Sequence, residues 1–367
     1  MTLLVTGGSG FVMSVVAGEW LKHHPENNVV VLDRAGLDAA AERYFAPMRA
    51  RLTVIEGDIC SEAGWQDQLD RLGITSIVHG ATITPISRGS AGEAKRQPEA
   101  EDPARIVEVN LMGTVRIAEW ARRSSDIKRF IYVSSGSVYR HHGPDWSGEP
   151  LPEDGYVAPL TLYGISKFAS EMVVNRYADL FGLPAVSVRL SSIYGPMDRA
   201  TETRNFRHVP NRIAHMALAG EVIRPNSLEA VGDYLNSTDV ARAIIGLIEA
   251  TRLRYRHYNI ASGAAITTGE LIKWAAEKVP DLRFVVTTDA TANVVQDPSL
   301  RDGMWGPYDT ARLERDTGWR PRPLREAFHD YMDWVAANEL VETSICGCGC
   351  FFCRSVNTRW AVPLSRR

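Results

Sequence analysis

The sequence predicts an α/β protein: a doubly wound parallel sheet followed by a smaller C-terminal α+β part. Three observations carry this. Over the first two-thirds of the 367 residues, short runs of β-branched and aliphatic residues alternate with longer stretches of helical spacing. Most of the short runs are continuously apolar, as strands covered by helices on both faces must be. The first of them opens directly into a glycine-rich turn, Thr6-Gly7-Gly8-Ser9-Gly10-Phe11-Val12, that leads into a helix. Strand–helix alternation of this kind winds a parallel sheet by right-handed crossovers.

Taken in order, residues 3–6, 29–33, 52–56, 76–79, 130–134 and 185–190 read as the strands. Between two of them Ile106, Val109, Gly113, Ile117 and Trp120 recur at helical spacing with polar residues opposite. From about Ser191 the pattern loosens into loops and isolated helices, such as 239–250 and 268–278. The expected organisation is a nucleotide-binding domain over 1–190 to which parts of 232–262 return, and a substrate domain over 191–340. A tail over 341–367 crowds Cys346, Cys348, Cys350 and Cys353 together. That crowding suits neither a disulfide framework nor the separated pairs of a zinc ribbon, so the tail reads as a poorly ordered extension without a metal.

Composition bounds the function. Hydrophobic residues make up 45% and charged ones 23%, which fits an ordinary globular chain and excludes a largely disordered one. Lysine and arginine (41) nearly balance aspartate and glutamate (44), for a net charge of −3, so nucleic acid is not an expected partner. No apolar run is long enough to cross a bilayer, and the first residues read as a strand, not a signal core. A cytoplasmic protein with a small-molecule substrate is expected.

The chemistry gathers in two places. In the glycine turn Gly7 allows the tight bend and Gly10 lets the backbone approach a pyrophosphate. The helix opening at Phe11 and Val12 then turns its unpaired N–H groups and positive dipole end toward that anion. A third glycine is absent, and Met13 in its place should push the helix outward or fill a gap. Asp33 ends the second strand, 23 residues beyond Gly10. A carboxylate there accepts from the adenosine ribose and repels a 2′-phosphate, which favours NAD, although the adjacent Arg34 could receive such a phosphate. Further on, one strand runs into Ser134-Ser135, and 28 residues past Ser135 stands Tyr163 with Lys167 four residues later. On a helix those two side chains share a face. An ammonium ~4 Å from a phenol at an effective dielectric near 20 favours the phenolate by about 4 kcal/mol before desolvation. Tyr163 can then take a proton from an alcohol whose oxygen Ser135 holds.

These segments, with Gly57-Asp58-Ile59, His79-Gly80-Ala81, Asn110-Leu111-Met112-Gly113-Thr114, Ile193-Tyr194-Gly195-Pro196 and Gly318-Trp319-Arg320-Pro321, resemble the extended short-chain dehydrogenase/reductases of the NAD-dependent epimerase/dehydratase family. The resemblance spans residues 1 to about 340 and implies a Rossmann domain and NAD. It implies that Asp58 and Ile59 lie by the adenine, Ala81 and Thr82 by the phosphates and ribose, and Asn110 near the nicotinamide. Lys167 would bond the nicotinamide ribose, with Leu190 and Ile193 at the carboxamide. Thr84, Ser137, Ser191, Ser192 and His208 are the substrate-side candidates, and a homodimer is implied. The chain departs from the nucleotide-sugar enzymes where it matters for substrate. Ser192 stands for a usual Asn, and Gly232 for an Arg that can bond a diphosphate. Arg199, Arg204, Arg207, His208 and Arg212 are possible substitutes for that cation. Gly136 and Ser137 replace the Asp-Glu pair of sugar dehydratases, which makes 4,6-dehydration unexpected. The charged stretch 83–103 could be a substrate lid or an inert insertion. The leading reading is an NAD-dependent dehydrogenase acting on a secondary alcohol of a small hydroxylated substrate. The alternatives are a nucleotide-sugar 4-epimerase with tightly bound NAD and a non-enzymatic NAD-sensing scaffold.

Overall fold

The computed structural model describes residues 1–61, 64–84, 98–139, 149–199, 207–288, 290–295 and 307–338. The stretch 85–97, most of the proposed lid, lies outside these residues, as do Arg204 and the cysteine-rich tail.

The first half alternates as the sequence indicates: β1 (Thr2–Thr6), α1 (Phe11–His23), β2 (Asn28–Asp33), α2 (Ala39–Phe45), β3 (Leu52–Glu56), α3 (Gln66–Leu69) and β4 (Ile74–His79). There follow α4 (Pro98–Glu101), α5 (Pro103–Val107), α6 (Gly113–Ala121), β5 (Arg129–Ser135), α7 (Leu162–Phe181) and β6 (Ala185–Leu190). The second half holds β7 (Ser192–Tyr194), α8 (Val209–Leu218), β8 (Val231–Gly232), β9 (Tyr234–Asn236), α9 (Ser237–Glu249) and β10 (His257–Ile260). It ends with β11 (Ile266–Thr267), α10 (Thr268–Lys278), α11 (Ala311–Thr317) and α12 (Leu324–Ala337).

Seven strands form one parallel sheet in the order β10-β6-β5-β4-β1-β2-β3. The winding reverses between β1 and β4, which opens a crevice at their carboxyl ends. Both faces of the sheet are covered, so successive strand residues alternate between two apolar layers. Leu3, Val5, Val29 and Val31 pack against α1 and α9, while Leu4, Val30 and Leu32 face the layer that holds Ile117, Trp120 and Val174 of α6 and α7. Helix α1 packs against the sheet and against α9, and it is buried nearly all round from Phe11 to Leu21. That placement explains its lack of a polar face. A third core, containing Ile213, Leu271, Phe328 and Tyr331, joins α8, α10 and α12.

Two local features differ from the sequence reading. The helical spacing from Ile106 to Trp120 is interrupted by one π-turn, Glu108–Met112. Met13 does not push α1 outward. It is 5% exposed and lies over Gly80, where an added Cβ would meet its sulfur at 2.3 Å. The bulk that Met13 adds in place of the third glycine is thus matched by a missing side chain just after β4.

Candidate active site

Most of the predicted residues lie at or just after the carboxyl ends of strands, while Asn110, Tyr163, Lys167 and His208 come from the π-turn, α7 and the start of α8. At β1, Gly7 takes φ +72°, and any Cβ there would stand 2.9 Å from the backbone of Ala81. Only glycine lets the loops after β1 and β4 approach this closely. Gly10 caps α1 with its own N–H on the Gly7 carbonyl (3.0 Å); no side chain caps the helix and no acidic residue enters its first turn. The positive helix end is therefore left for an anion. Asp33 ends β2 and accepts from the Ser9 N–H (3.0 Å) and the Ala35 N–H (3.3 Å). Burial lifts its carboxyl above the ordinary value against the pull of those donors.

The other cofactor-side candidates divide. Ala81 and Thr82 border the crevice, half-buried, and Leu190 ends β6 opposite Ser135. Asp58 accepts from the Cys60 N–H (2.8 Å) and from Arg105 of α5 (2.7 Å). Burial works against its charge, but those two partners outweigh it and hold the carboxyl below its usual range. Ile59 and Ile193 are core residues at 5% and 6% exposure. Asn110 is fully buried in the π-turn. Its Oδ1 accepts from the Thr82 hydroxyl (2.9 Å) and the Ile83 N–H (2.8 Å), and its Nδ2 donates to the Ile83 carbonyl and Ser166 Oγ (both 3.1 Å). Those bonds use its whole hydrogen-bonding capacity. Asn110 therefore ties the loop after β4 to α7.

A buried chain of hydroxyls reaches the same π-turn from the glycine loop. Thr114 donates to the Asn110 carbonyl (2.6 Å), so it accepts from His79 Nε2 (3.0 Å). His79 Nδ1 then accepts from the Thr6 hydroxyl (2.7 Å), whose oxygen takes the N–H groups of Gly80 and Ala81 (both 3.2 Å). Burial, followed by the charge of Lys167, lowers His79 to about 3, so it stays neutral and keeps this order.

Helix α7 sets the Tyr163/Lys167 pair. Thr161 Oγ accepts from the Gly164 N–H (3.1 Å) and Glu99 from the Leu162 N–H (2.6 Å), which satisfies two donors at the helix start. Tyr163 in that first turn is 8% exposed, and Lys167 is 2% exposed. The Lys167 Nζ donates to the Val133 carbonyl (2.8 Å) and lies 5.8 Å from the centre of the Tyr163 ring. Val133 precedes Ser135 on β5, so this bond seats the dyad on the strand that presents the serine. Ser135 Oγ lies 3.1 Å from Ser137 Oγ and accepts from the Ser137 N–H. Burial lowers Lys167 to about 7, against the opposing charge of Glu171 one turn on. That desolvation is the cost the sequence-level charge argument omits.

Of the substrate candidates, Ser137, Ser191 and Ser192 follow β5 and β6, with the Ser191 N–H on the Ile260 carbonyl (3.2 Å) and the Ser192 N–H on the Asp233 carbonyl (3.1 Å). Thr84 follows β4, and His208 stands apart at the N-terminus of α8. Arg199 is not a free cation for a substrate tail. It is 8% exposed and bound to Asp38 and to the Ser9 carbonyl. Arg212 donates to the Asn293 carbonyl, and burial, then the like charge of Arg207, pulls its pKa down.

Sequence reasoning missed two tyrosines. A Cβ on Gly136 would stand 2.2 Å from the Tyr308 hydroxyl, and one on Gly232 would stand 2.5 Å from Cζ of Tyr234. The glycines were visible in the sequence; the ring at Gly232 is its near neighbour Tyr234, whereas the ring at Gly136 comes from Tyr308, far along the chain.

The crevice at the switch point, its glycine turn and the Tyr/Lys helix beside it define a protein built to bind a nicotinamide dinucleotide. The model of the NAD dependent epimerase/dehydratase family matches residues 3–261, and the chain belongs to that family, whose cofactor is NAD. It is 26% identical over 345 residues to the trifunctional UDP-glucose 4,6-dehydratase/UDP-4-keto-6-deoxy-D-glucose 3,5-epimerase/UDP-4-keto-L-rhamnose-reductase of Arabidopsis thaliana. That match covers 92% of this chain but only 47% of the plant protein. A UDP-glucose 4-epimerase of Corynebacterium glutamicum is 26% identical over 287 residues, 76% of this chain and 80% of the relative. The crystal structure of UDP-glucuronic acid 4-epimerase from Bacillus cereus, in complex with UDP-glucuronic acid and NAD, shares the fold with TM-score 0.72 at 19% identity, over 92% of this chain and 99% of that one. Among the described residues no helix is long and apolar enough to cross a membrane.

Proposed function

We propose that this protein is an NAD-dependent oxidoreductase of the extended short-chain type, acting on a secondary alcohol or ketone of a small hydroxylated, sugar-like substrate. The observation that carries the reading is the seating of the dyad: Lys167 Nζ on the Val133 carbonyl at 2.8 Å, one helical turn from Tyr163, on the strand that ends in Ser135. NAD, when bound, accepts or returns the hydride. Tyr163 holds and moves the proton of the substrate oxygen, Ser135 orients that oxygen, and Lys167 in its protonated form keeps two N–H donors for the phenolate side and the cofactor ribose. Gly7, Gly10, Phe11, Val12 and Asp33 form the cofactor cradle. Its fit rests on the uncapped start of α1 and on the close approach of Gly7 to Ala81. Residues 1–190 with 232–262 make up the cofactor half, and the rest of 191–338 the substrate half.

The tyrosine rings support a substrate unlike a dehydratase's. Tyr308 occupies the space an acid at position 136 needs, and Tyr234 the space of a cation at 232. A second reading, a nucleotide-sugar 4-epimerase, is favoured by the match to the Corynebacterium epimerase. A homodimer through α5–α7 is also proposed, because Val107, Met112, Ile165, Met172 and Leu180 are exposed there. Light scattering on the purified chain tests it.

The functional test is Tyr163→Phe, screened with NAD against alcohols, sugars, sugar acids and UDP-glucose. Turnover is expected to fall at least 100-fold, the scale of a lost general base, with NAD affinity kept within about twofold. Undiminished turnover refutes the assignment. NADH accumulating in solution marks a dehydrogenase, and sugar interconversion without it marks an epimerase.

A further inference from the structure

Arg199 comes from the second half of the chain but is bound to the cofactor loop. Its Nη2 donates to the Ser9 carbonyl (3.1 Å), 190 residues away in sequence. Its Nε (2.8 Å) and Nη2 (2.7 Å) also reach Asp38 Oδ2, and Nη1 reaches the Met197 carbonyl (3.2 Å). Asp38 divides its carboxylate. Oδ1 accepts from the Ala41 N–H (2.8 Å) as the cap of α2, and Oδ2 is left for Arg199. The turn that delivers the guanidinium is unusual: Met197, at φ +67°, is the one non-glycine residue with positive φ among the described residues. Such a conformation persists only where its surroundings enforce it.

The carbonyl that Arg199 holds belongs to the Ser9–Gly10 peptide, and the N–H of that peptide is on the Gly7 carbonyl (3.0 Å). The peptide that aims the start of α1 is thus held at both ends. Ser9 is pinned twice more, by its N–H on Asp33 (3.0 Å) and its hydroxyl on the Ala35 carbonyl (3.2 Å). Three of these four contacts are made within the first half of the chain; only Arg199 reaches across from the other.

We propose that Arg199 is a positioning residue that clasps the glycine loop from across the crevice and sets how fast NAD dissociates. The inference rests on the cofactor site described above and goes beyond it by assigning cofactor retention to this arginine. Two effects act in the same direction. The clasp pre-organises the loop that meets the diphosphate, so less ordering is needed on binding. It also neutralises Asp38, whose carboxylate otherwise adds a negative charge beside the cofactor loop.

The test loads the full chain with NADH and follows the fluorescence change on mixing with excess NAD, which reports the dissociation rate. Arg199→Ala removes charge-assisted bonds and exposes Asp38, and dissociation should accelerate about tenfold or more. Arg199→Lys keeps the charge without the fork and should fall between the two. Asp38→Asn keeps the helix cap and should accelerate release less than Arg199→Ala. The double variant Arg199→Ala/Asp38→Asn should recover part of the loss, an ordering that a general loss of folding would not produce. Amide exchange at residues 9–12 should rise in cofactor-free Arg199→Ala. Should Arg199→Ala fold poorly, Arg199→Lys and Asp38→Asn carry the same test. Wild-type release rates in those variants, or an Arg199→Ala defect that Asp38→Asn deepens, would overturn the clasp. Failure of the wild-type protein to bind NADH would overturn the cofactor site itself, and the clasp with it.

Discussion

Gly136→Ala places a methyl group where Tyr308 already stands. The new Cβ would lie 2.2 Å from the Tyr308 hydroxyl, 2.7 Å from Cζ and 3.1 Å from Cε2. The ring has little room to yield. Tyr308 is 4% exposed, its N–H is on Asp233 Oδ2 at 3.1 Å, and its ring lies 5.7 Å from that of Tyr139. Asp233 is itself 1% exposed and also holds Ser262 and Gly263, so moving Tyr308 disturbs a second loop. Overpacking of this kind costs about 1–3 kcal/mol, whereas replacing glycine by alanine gains about 0.4–1 kcal/mol from the unfolded chain. The clash wins at mid-range, and a net loss of about 1.3 kcal/mol is expected, within outer bounds of about 0 and 2.6 kcal/mol from those two ranges. In a Tyr308→Phe background the nearest atom is the ring carbon at 2.7 Å, so the alanine should be better tolerated. The assay is urea unfolding of the wild type, both single variants and the double variant, with the coupling taken from the cycle. A Gly136→Ala protein as stable as the wild type, or a coupling of zero, refutes the claim that Tyr308 closes this position to an acid.

Three further outcomes are expected. Arg189→Met should cost about 3–5 kcal/mol, because it strands the fully buried Glu171 that Arg189 bonds through Nη2 (2.7 Å) and Nε (3.0 Å). Adding Glu171→Gln should recover most of that loss by urea titration, and a single-variant loss under about 1 kcal/mol would contradict the buried pair. Asp33→Ala should raise the NADP-to-NAD affinity ratio and weaken NAD as well, since Asp33 also holds the Ser9 N–H; an unchanged ratio in fluorescence titrations removes Asp33 from cofactor choice. For Lys167, burial lowers the folded-state value to about 7, below the unfolded one. The penalty is therefore full below about 7 and disappears as pH rises toward about 10, with a slope of at most ~1.4 kcal/mol per pH unit. Without cofactor, the stability of the wild type should gain on that of Lys167→Met between pH values of roughly 7 and 9.5, and a constant difference would refute the neutral buried amine.

The part of this protein legible in the sequence is the part built from neighbours in the chain. A glycine turn after an apolar run, a carboxylate at the next strand end, and a tyrosine four residues before a lysine are short-range patterns. The strand and helix periods place them at one end of a parallel sheet without further information. What those residues touch was decided only by the tertiary structure. Asn110 is placed near the nicotinamide by resemblance alone, and only the fold shows that the π-turn turns its amide onto the loop after β4 and onto α7. Arg199 reads as a substrate cation until the turn at Met197 delivers it to Ser9. The vacant side chain at 136 shows in the sequence, but the ring that fills it is Tyr308, 172 residues further on. Periodicity reports which face of an element is buried, whereas occupancy of a given volume depends on contacts between residues far apart in the chain, for which a single sequence carries no local signal.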